Sequence, residues 1–170
     1  MPATTTPSPP SPTLVALVYA RRADGSVLLV ERRRPPFAGY WVAPGAELAA
    51  DEAPHHGASR GLMEETGLKA LDLSLRGVVR EVSPRPDFQW LLFLYRCRAG
   101  GTPRAGGAVD DLRWWTMTEL ERAPVPAADR WWLPHVVGDA PGVLEATLHY
   151  DAHRMLTHIE SETPFYARSA

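Results

Sequence analysis

The sequence predicts an α/β (α+β) domain in which a mixed β-sheet is sandwiched between helices. Two observations favour this class. Apolar runs of strand length alternate with helical segments along the 170 residues, and 45% of the residues are hydrophobic. This content allows one domain with a sizeable core and leaves little room for a second. We therefore expect a single domain over residues 13–165, between a disordered tail at residues 1–12 and a C-terminal tail at residues 166–170.

The first elements are predicted from turn and helix signals. Residues 14–19 and 27–31 are apolar strands separated by a turn around Asp24 and Gly25. Asp-Gly between two apolar runs is typical of a hairpin, so these strands are expected to pair with each other. Residues 54–66 are predicted to form a helix, because proline is tolerated at its start and a glycine, residue 67, follows its last turn.

The second half of the chain predicts more strands and two short helical segments. Residues 71–82 alternate loosely in polarity, the segment SPRPD interrupts them, and residues 89–97 are strongly apolar. Both patterns predict strands, and the run GGTPRAGG predicts a mobile loop after them. Pro134 is expected in an early turn of the last helix. The remaining predicted elements are strands over residues 112–116 and 143–150, a helical turn over 117–122 and a helix over 130–137.

Composition excludes several classes of function. The net charge of −2 and the pI near 6.3 provide no basic surface for nucleic acid, so none is expected as a partner. The single cysteine, Cys97, excludes an internal disulfide framework and fits a reducing cytoplasm. The N-terminal residues lack a basic start and an export core, and no apolar run is long enough to span a bilayer. We therefore expect a cytoplasmic protein with no membrane partner.

The segment PGAELAADEAPHHGASRGLMEETGL, residues 44–68, carries the most chemistry. Glu64 and Glu65 are neighbours on one turn of the predicted helix, and Arg60 precedes Glu64 by four residues. This spacing places Arg60 and Glu64 on one helix face, where the guanidinium can hold the carboxylate. Adjacent carboxylates are hard oxygen ligands for Mg²⁺ or Mn²⁺. The segment therefore indicates a site for a metal-bound diphosphate.

This segment resembles the box of the Nudix hydrolases, G-x5-E-x7-R-E-U-x-E-E-x-G-U, in which U is an aliphatic residue. The resemblance implies a Nudix fold and a metal-dependent pyrophosphohydrolase in which Arg60, Glu64 and Glu65 are catalytic. It also implies that Glu64, Glu65 and the Gly45 carbonyl hold Mg²⁺ or Mn²⁺. The fixed positions of the box fall on Ala46, Glu52, Arg60, Gly61, Leu62, Glu64, Glu65, Gly67 and Leu68, of which all but Ala46 and Gly61 agree.

The two departures from the box differ in weight. Ala46 replaces a glycine, which is a small change that excludes most positive φ values. Gly61 replaces a glutamate that would lie on the helix face of Glu64 and Glu65. One family metal ligand is therefore missing, and fewer or more weakly bound metals are expected. On this interpretation, the substitution Gly61→Glu should raise metal affinity and turnover.

The C-terminal half resembles the oxidised-purine nucleoside triphosphatases more loosely, through the segments DDLRWW and ADRWWLP. This resemblance implies that Asp111 is an additional metal ligand. It also places Asp129 on one of two aspartates that hydrogen-bond the purine. The position of the second aspartate is Ala128, and Val42 replaces an asparagine that reads the base. Oxidised-purine specificity is therefore not expected.

Further substrate contacts are predicted from residue type. Trp41 offers an aromatic face on which a nucleobase can stack, and the looser resemblance singles out Trp131 for the same role. Bulky aromatic residues are, however, more often part of a core. Arg32 precedes the box loop, and its guanidinium can bind substrate phosphates through two parallel N–H donors. Alternatively, Arg32 belongs to a solvent-exposed run of charged residues.

The predicted reaction is water attack on a phosphorus of a nucleoside diphosphate linked to another group, as in a nucleoside triphosphate. The substrate is a small nucleotide, and the protein is expected to act as a monomer or homodimer. The general base is left open among five carboxylates: Glu52, Glu64, Glu65, Glu81 and Asp111.

Two alternatives belong to other functional classes. The first is a catalytically weak Nudix domain that binds nucleotides as a sensor, with Gly61 marking the lost chemistry. The second is a serine hydrolase that uses Ser59, because residues 57–61 match the pattern G-x-S-x-G. That pattern requires a sharp turn from a strand into a helix, whereas Ser59 is predicted to lie within a continuous helix.

Overall fold

A computed structural model describes residues 10–107 and 109–162. Most of the predicted tails, residues 1–9 and 166–170, lie outside the described residues. The strands are β1 (Thr13–Ala20), β2 (Val27–Arg32), β3 (Trp41–Val42), β4 (Gly45–Glu47), β5 (Lys69–Val82), β6 (Trp90–Gly100), β7 (Val109–Trp115), β8 (Leu144–Tyr150) and β9 (Leu156–Glu162). The helices are α1 (Pro54–Thr66), α2 (Met117–Leu120) and α3 (Ala127–Val137).

The described strands form two sheets. The larger is mixed and six-stranded, with the order β4-β1-β6-β5-β8-β9, and the smaller has the order β3-β2-β7. In the larger sheet β1 runs parallel to β6, and β5 runs parallel to β8. Its other pairings are antiparallel. The predicted fold class, a mixed sheet with helices against it, is confirmed.

Alternation along β1 shows how the sheet is sandwiched. Ala16, Val18 and Ala20 are fully buried in a cluster with Ala58 and Leu62 of α1. On the other face of β1, Tyr19 is fully buried in a second cluster, with Trp132 and Val136 of α3. Because successive strand residues point to opposite faces, α1 and α3 cover opposite sides of the large sheet.

The predicted hairpin between the first two strands is wrong. The turn exists, with Gly25 at φ 85° and its N–H donated to Arg22 O at 3.0 Å. Beyond a single bridge between Arg21 and Val27, however, the strands separate into different sheets. β1 instead pairs with β6 over its full length, from Thr13 opposite Trp90 to Ala20 opposite Cys97. Long-range pairing outweighs the local turn signal here.

Other elements agree with the sequence in kind and differ in extent. The helix over residues 54–66 is confirmed, and Gly67 ends it at φ 68° with its N–H donated to Met63 O. The last helix begins earlier than predicted, so that Pro134 lies inside α3 and not in an early turn. β9 was not predicted, because its polar sequence LTHIESE is largely exposed at the sheet edge. In the described residues no helix has the length and apolar character needed to cross a membrane.

Candidate active site

The box loop lies directly against α1, and this close approach depends on Gly61. A Cβ atom at Gly61 would lie 2.5 Å from Gly45 O and 2.8 Å from Ala46 N, and closer still to Gly45 C. All three atoms belong to the backbone, so no side-chain rotation could make room for it. The absence of a side chain at position 61 therefore allows β4 to pack on the helix that carries the acidic residues.

This packing contradicts the simple view that Gly61 is a lost ligand. A glutamate at position 61 would have to displace the Gly45–Ala46 backbone before its carboxylate could reach a metal. For this geometry we therefore expect no gain from Gly61→Glu. In this chain, Gly61 shapes the loop as well as lacking a carboxylate.

Arg60 connects three parts of the box. Its Nε and Nη2 each donate to the Glu52 carboxylate at 2.8 Å, and its Nη1 donates to Glu64 Oε2 at 3.2 Å. Nη2 also donates to Glu47 O at 3.0 Å. The predicted contact between Arg60 and Glu64 is present, but the bidentate pair with Glu52 is closer. The guanidinium holds the pKa of Glu52 at about 2, chiefly through these hydrogen bonds.

Glu65 lies on a different side of α1 and faces the loop. Its Oε2 accepts the Gly45 N–H at 3.1 Å, and burial raises the pKa of this carboxyl. The Gly45 hydrogen bond and the charge of Arg32 oppose that rise. No arginine, lysine or histidine of the described chain forms an ion pair with Glu65. Glu65 is thus a half-buried carboxylate with its charge mostly uncompensated.

These residues fit one divalent cation. A hard cation prefers carboxylate and carbonyl oxygens, and its charge would offset the desolvation that raises the pKa of Glu65. Glu65 and the half-exposed Glu64, adjacent in sequence on α1, are the carboxylates that would hold it. Within the described residues no group of three or more acidic, histidine or cysteine side chains is arranged to bind a metal. The donor set therefore has fewer carboxylates than the complete box would supply.

Next to Glu65 a cavity of about 370 Å³ opens between the two sheets. Its exposed end is formed by Gly45, Glu47, Glu65 and Arg32. Among the described residues no group accepts a hydrogen bond from the Arg32 side chain, which leaves the guanidinium free to meet an anion. The remaining lining residues are mostly apolar, among them Phe37, Trp90, Leu92, Ala128 and Trp132.

Two carboxyl groups lie at the buried end of this cavity. Asp129 of α3 is 7% exposed, and its Oδ2 accepts the Tyr19 hydroxyl proton at 3.3 Å. The Tyr19 oxygen in turn accepts the Trp132 indole N–H at 2.7 Å. Burial first, and the nearby Glu81 carboxylate second, raise the pKa of Asp129 to about 8. Asp129 is therefore largely protonated at neutral pH.

Glu81 of β5 is the second of these carboxyls. It is 3% exposed, and its Oε1 accepts the Tyr150 hydroxyl proton at 2.7 Å. Burial raises its pKa to about 7. Both acids thus have one oxygen held by a tyrosine, and both line the cavity.

The predicted site residues do not all meet at this cavity. Gly45, Glu65, Arg32 and Asp129 line it, and Arg60 and Glu64 lie beside it on α1. Three predicted residues are not among the lining. Asp111 is exposed on β7, opposite Glu31. Trp41 packs edge-on against Trp115, with 5.1 Å between the ring centroids. Trp131 is 36% exposed on α3.

The neighbouring tryptophans do line the cavity. Trp132, adjacent to Trp131, and Trp90 of β6 both contribute to its surface. The choice of Trp131 over Trp132 rested on the looser resemblance, whereas the helical phase of α3 decides which of two adjacent indoles faces inward. Ser59 lies inside α1 and not at a turn between a strand and a helix, which excludes the nucleophile elbow that the serine hydrolase alternative requires.

The sequence analysis did not predict the tyrosine partners of the two acids, although the position of Glu81 in its strand is a relevant signal. In β5, residues 77, 79 and 81 share the buried face, so Glu81 occupies a core-facing position in an apolar strand. Burying a charged side chain at a core-facing position of a strand costs free energy, so such a residue indicates a special role. Tyr19 and Tyr150 are distant in sequence from Glu81 and Asp129, and no local pattern relates them.

Comparison with known proteins agrees with this geometry. The NUDIX domain family model matches residues 11–136. A Mycobacterium tuberculosis protein named "Putative 8-oxo-dGTP diphosphatase 2" is 36% identical over 110 residues, which are 64% of this chain and 77% of the relative. A MutT-like protein of Streptomyces ambofaciens is 29% identical over 114 residues, covering 66% and 70% of the two chains.

Solved structures give the same result. The mutator MutT protein of Bacillus halodurans superposes with a TM-score of 0.76 at 25% identity, covering 88% of this chain and 97% of that one. A MutT NUDIX hydrolase of Burkholderia pseudomallei superposes with a TM-score of 0.68 at 27% identity, covering 74% and 98%. The family match spans more than half of the chain and includes the loop, α1 and most of α3. The chain therefore belongs to the Nudix family, as a pyrophosphohydrolase of that family.

Proposed function

We propose that this protein is a metal-dependent hydrolase of a nucleoside diphosphate linked to another group, such as a nucleoside triphosphate. Water attacks one phosphorus and releases a nucleotide and the remaining phosphate fragment. The carrying observation is the half-buried Glu65 carboxylate at the mouth of a 370 Å³ cavity, with Arg32 beside it. This arrangement suits a cation and a diphosphate at the exposed end and an organic group inside.

The box residues divide into ligand and positioning roles in this proposal. Glu65 and Glu64 hold Mg²⁺ or Mn²⁺, which when bound neutralises the diphosphate and lowers the pKa of water. Arg60 fixes Glu64 through its bidentate pair with Glu52, and Arg32 meets the phosphates. Gly45 donates its N–H to Glu65 and thereby sets the carboxylate against the loop.

The structure narrows the choice of general base. Glu52 is a poor proton acceptor near neutral pH, because its pair with Arg60 holds its pKa at about 2. Asp111 is exposed on β7 and is not among the cavity lining. Glu81 is buried, with one oxygen held by the Tyr150 hydroxyl, and lies on β5 outside the box. We therefore propose that the base is Glu64 or Glu65.

The organic group is proposed to be a nucleobase, held among the aromatic and apolar side chains of the cavity. One relative is named as an 8-oxo-dGTP diphosphatase. In this chain Ala128 and Val42, where the looser resemblance implies base-reading side chains, both line the cavity and cannot donate or accept a side-chain hydrogen bond. We propose a nucleotide substrate without oxidised-purine preference, and a cytoplasmic monomer or homodimer.

The test is a panel of nucleoside triphosphates, dinucleoside polyphosphates and nucleotide sugars, assayed for released phosphate or pyrophosphate with Mg²⁺, Mn²⁺ or a chelator. We expect turnover that the chelator abolishes. Glu65→Gln should lower kcat at least ~100-fold, because it removes a charged ligand while keeping the shape of the side chain. The exposed residue Glu121 provides the control: Glu121→Gln should leave kcat unchanged.

Two outcomes would contradict the proposal. A fully active Glu65→Gln variant would remove the assigned metal ligand. Absence of turnover across the panel, together with nucleotide-induced thermal stabilisation, would instead support the binding protein that the missing box glutamate suggests.

A further inference from the structure

Glu81 is an acid that the proposed hydrolysis does not use. It lies on the core-facing side of β5, 3% exposed, and it lines the cavity at the end farthest from the box. Tyr150 donates its hydroxyl proton to Oε1 at 2.7 Å. Among the described residues no group donates to Oε2. Glu81 is thus a cavity-lining residue with one oxygen held by a tyrosine and a second oxygen open to a donor from a bound molecule.

A purely structural role does not account for this arrangement. Replacing a buried polar pair by apolar side chains of similar volume is often neutral or stabilising. The surroundings are otherwise suited to that, because Phe88 packs against Tyr150 with 5.0 Å between ring centroids, and Val79 and Leu148 are fully buried nearby. The free oxygen instead lies on the surface of a cavity large enough for an organic ring.

We infer that Glu81 is a specificity-determining residue whose free oxygen accepts a hydrogen bond from an amino group on the ring of the substrate. The inference rests on the proposed function and names the class of base: an amino-bearing nucleobase. Asp129, the other acid at this end, is held from behind by Tyr19 and Trp132. Both acids are fixed before the substrate arrives, which reduces the cost of ordering them on binding.

The charges around Glu81 favour a donor over an acceptor on the ring. The groups that face it are the acid Asp129 of α3 and the hydroxyls of Tyr150 on β8 and Tyr19 on β1. Arg32 also lines the cavity, and its charge lowers the pKa of Asp129, whereas no cation of the described residues forms an ion pair with Glu81. Asp129, when protonated, can itself donate to a ring oxygen, whereas the free oxygen of an ionised Glu81 can only accept. An amino group on the ring supplies the donor that this oxygen lacks.

The experiment compares nucleotides that differ in one amino group. GTP and ITP form one pair, and ATP and purine riboside triphosphate form the other. We expect wild-type kcat/KM to favour the amino-bearing member of at least one pair by ~10-fold or more. The double variant Glu81→Met with Tyr150→Phe, which leaves no unpaired polar partner, should bring that ratio close to one. Glu145→Met, at an exposed position of β8, should keep the wild-type ratio.

Glu81→Gln provides a second variant if the double variant fails to fold, and it should lower the ratio while preserving the side-chain shape. An unchanged ratio in folded variants, or equal wild-type rates for both members of both pairs, would overturn the inference while leaving the hydrolase intact. If wild-type protein hydrolyses none of the four nucleotides, the wider panel described above decides whether the proposed function fails. Calorimetry on wild type and both variants then tests the inference through binding. The affinities of GDP and IDP are compared, and so are those of ADP and purine riboside diphosphate. The amino-bearing member should bind more tightly to wild type, and the variants should lose this preference.

Discussion

At the scale of single residues, Gly61 shows how a departure from a family pattern can alter the backbone. The box loop approaches α1 so closely that a Cβ atom at this position would lie 2.5 Å from Gly45 O. The sequence does not predict this contact, because the box pattern describes side chains, whereas the contact forms between backbones where Gly61 has no side chain. The same glycine that removes a carboxylate also fixes where Gly45 donates to Glu65.

This close packing leads to a stability prediction for Gly61→Ala. In an exposed helix the change would stabilise by about 1 kcal/mol. Here the added methyl group meets backbone atoms, so we expect net destabilisation of about 1–3 kcal/mol, measured by chemical denaturation. Gly57→Ala is the matched control, since its Cβ would meet only the flexible Leu48 side chain and Glu52. A Gly61→Ala variant as stable as wild type would show that the loop moves freely.

At the scale of elements, Arg76 shows how a strand secures a helix that carries a cavity residue. Its guanidinium, on β5, donates to His135 O at 3.1 Å and also to Val136 O, Gly138 O and Ala140 O at the end of α3. Arg76 is 8% exposed, and burial lowers its pKa. The carbonyls at a helix C-terminus have no partner within the helix and favour a nearby cation. Arg76 therefore caps α3, the helix that positions Asp129.

Replacing Arg76 should accordingly destabilise the protein. We expect Arg76→Met to cost about 2–4 kcal/mol of unfolding free energy, because the carbonyls of Val136, His135 and Ala140, which are buried or partly buried contacts of Arg76, lose this donor. Arg76→Lys should recover part of the loss. Arg113→Met is the control: its side chain is half exposed and pairs with Glu119, so its loss should cost under about 1 kcal/mol. Equal effects of the two methionine substitutions would contradict the capping role.

Elements also show the limits of sequence reasoning. The box helix was predictable to the residue because Pro54 and Gly67 mark both ends locally. The pairing of β1 could not be predicted in this way. An Asp-Gly turn brings the end of β1 near the start of β2, but it does not indicate the eight-residue parallel ladder between β1 and β6. β9 was missed since its exposed residues carry no apolar alternation. Local signals thus identify elements more reliably than they identify partners.

At the scale of the whole molecule, the site joins a local motif to a remote pocket. Arg60, Glu64 and Glu65 were predictable because they lie within one helix and one sequence pattern. The buried end of the cavity is built by residues from β1, β5, α3 and β8, which only the completed fold brings together. Of these residues, sequence resemblance implied a substrate contact for Asp129 alone. In the proposed function, the chemistry of phosphate hydrolysis is thus local in the chain, whereas recognition of the attached group is a property of the fold.

The two buried acids also couple the stability of the whole molecule to pH. Burial raises the pKa of Glu81 to about 7 and that of Asp129 to about 8, whereas both are near 4 in an unfolded chain. Between these values the folded state keeps protons that the unfolded state releases. Stability therefore falls as pH rises, by at most about 1.4 kcal/mol per pH unit for each group. The stabilising contribution is complete below about pH 4 and lost above about pH 8.

Exposed acids affect the stability of the protein in a lower pH range. Salt-bridged or hydrogen-bonded carboxylates such as Glu52, Asp87 and Asp139 have lowered pKa values, so their contribution is lost only as pH falls below the ordinary range near 4. Between pH 5 and 8 the buried pair should dominate. We expect the unfolding free energy of wild type, measured by urea denaturation, to decrease across this interval. Glu81→Gln, which cannot titrate, should flatten the decrease by on the order of 2 kcal/mol, and Glu145→Gln should not. Parallel curves for wild type and Glu81→Gln would mean that Glu81 keeps an ordinary pKa in the folded protein, and hence that the buried end of the cavity is wetter than its packing indicates.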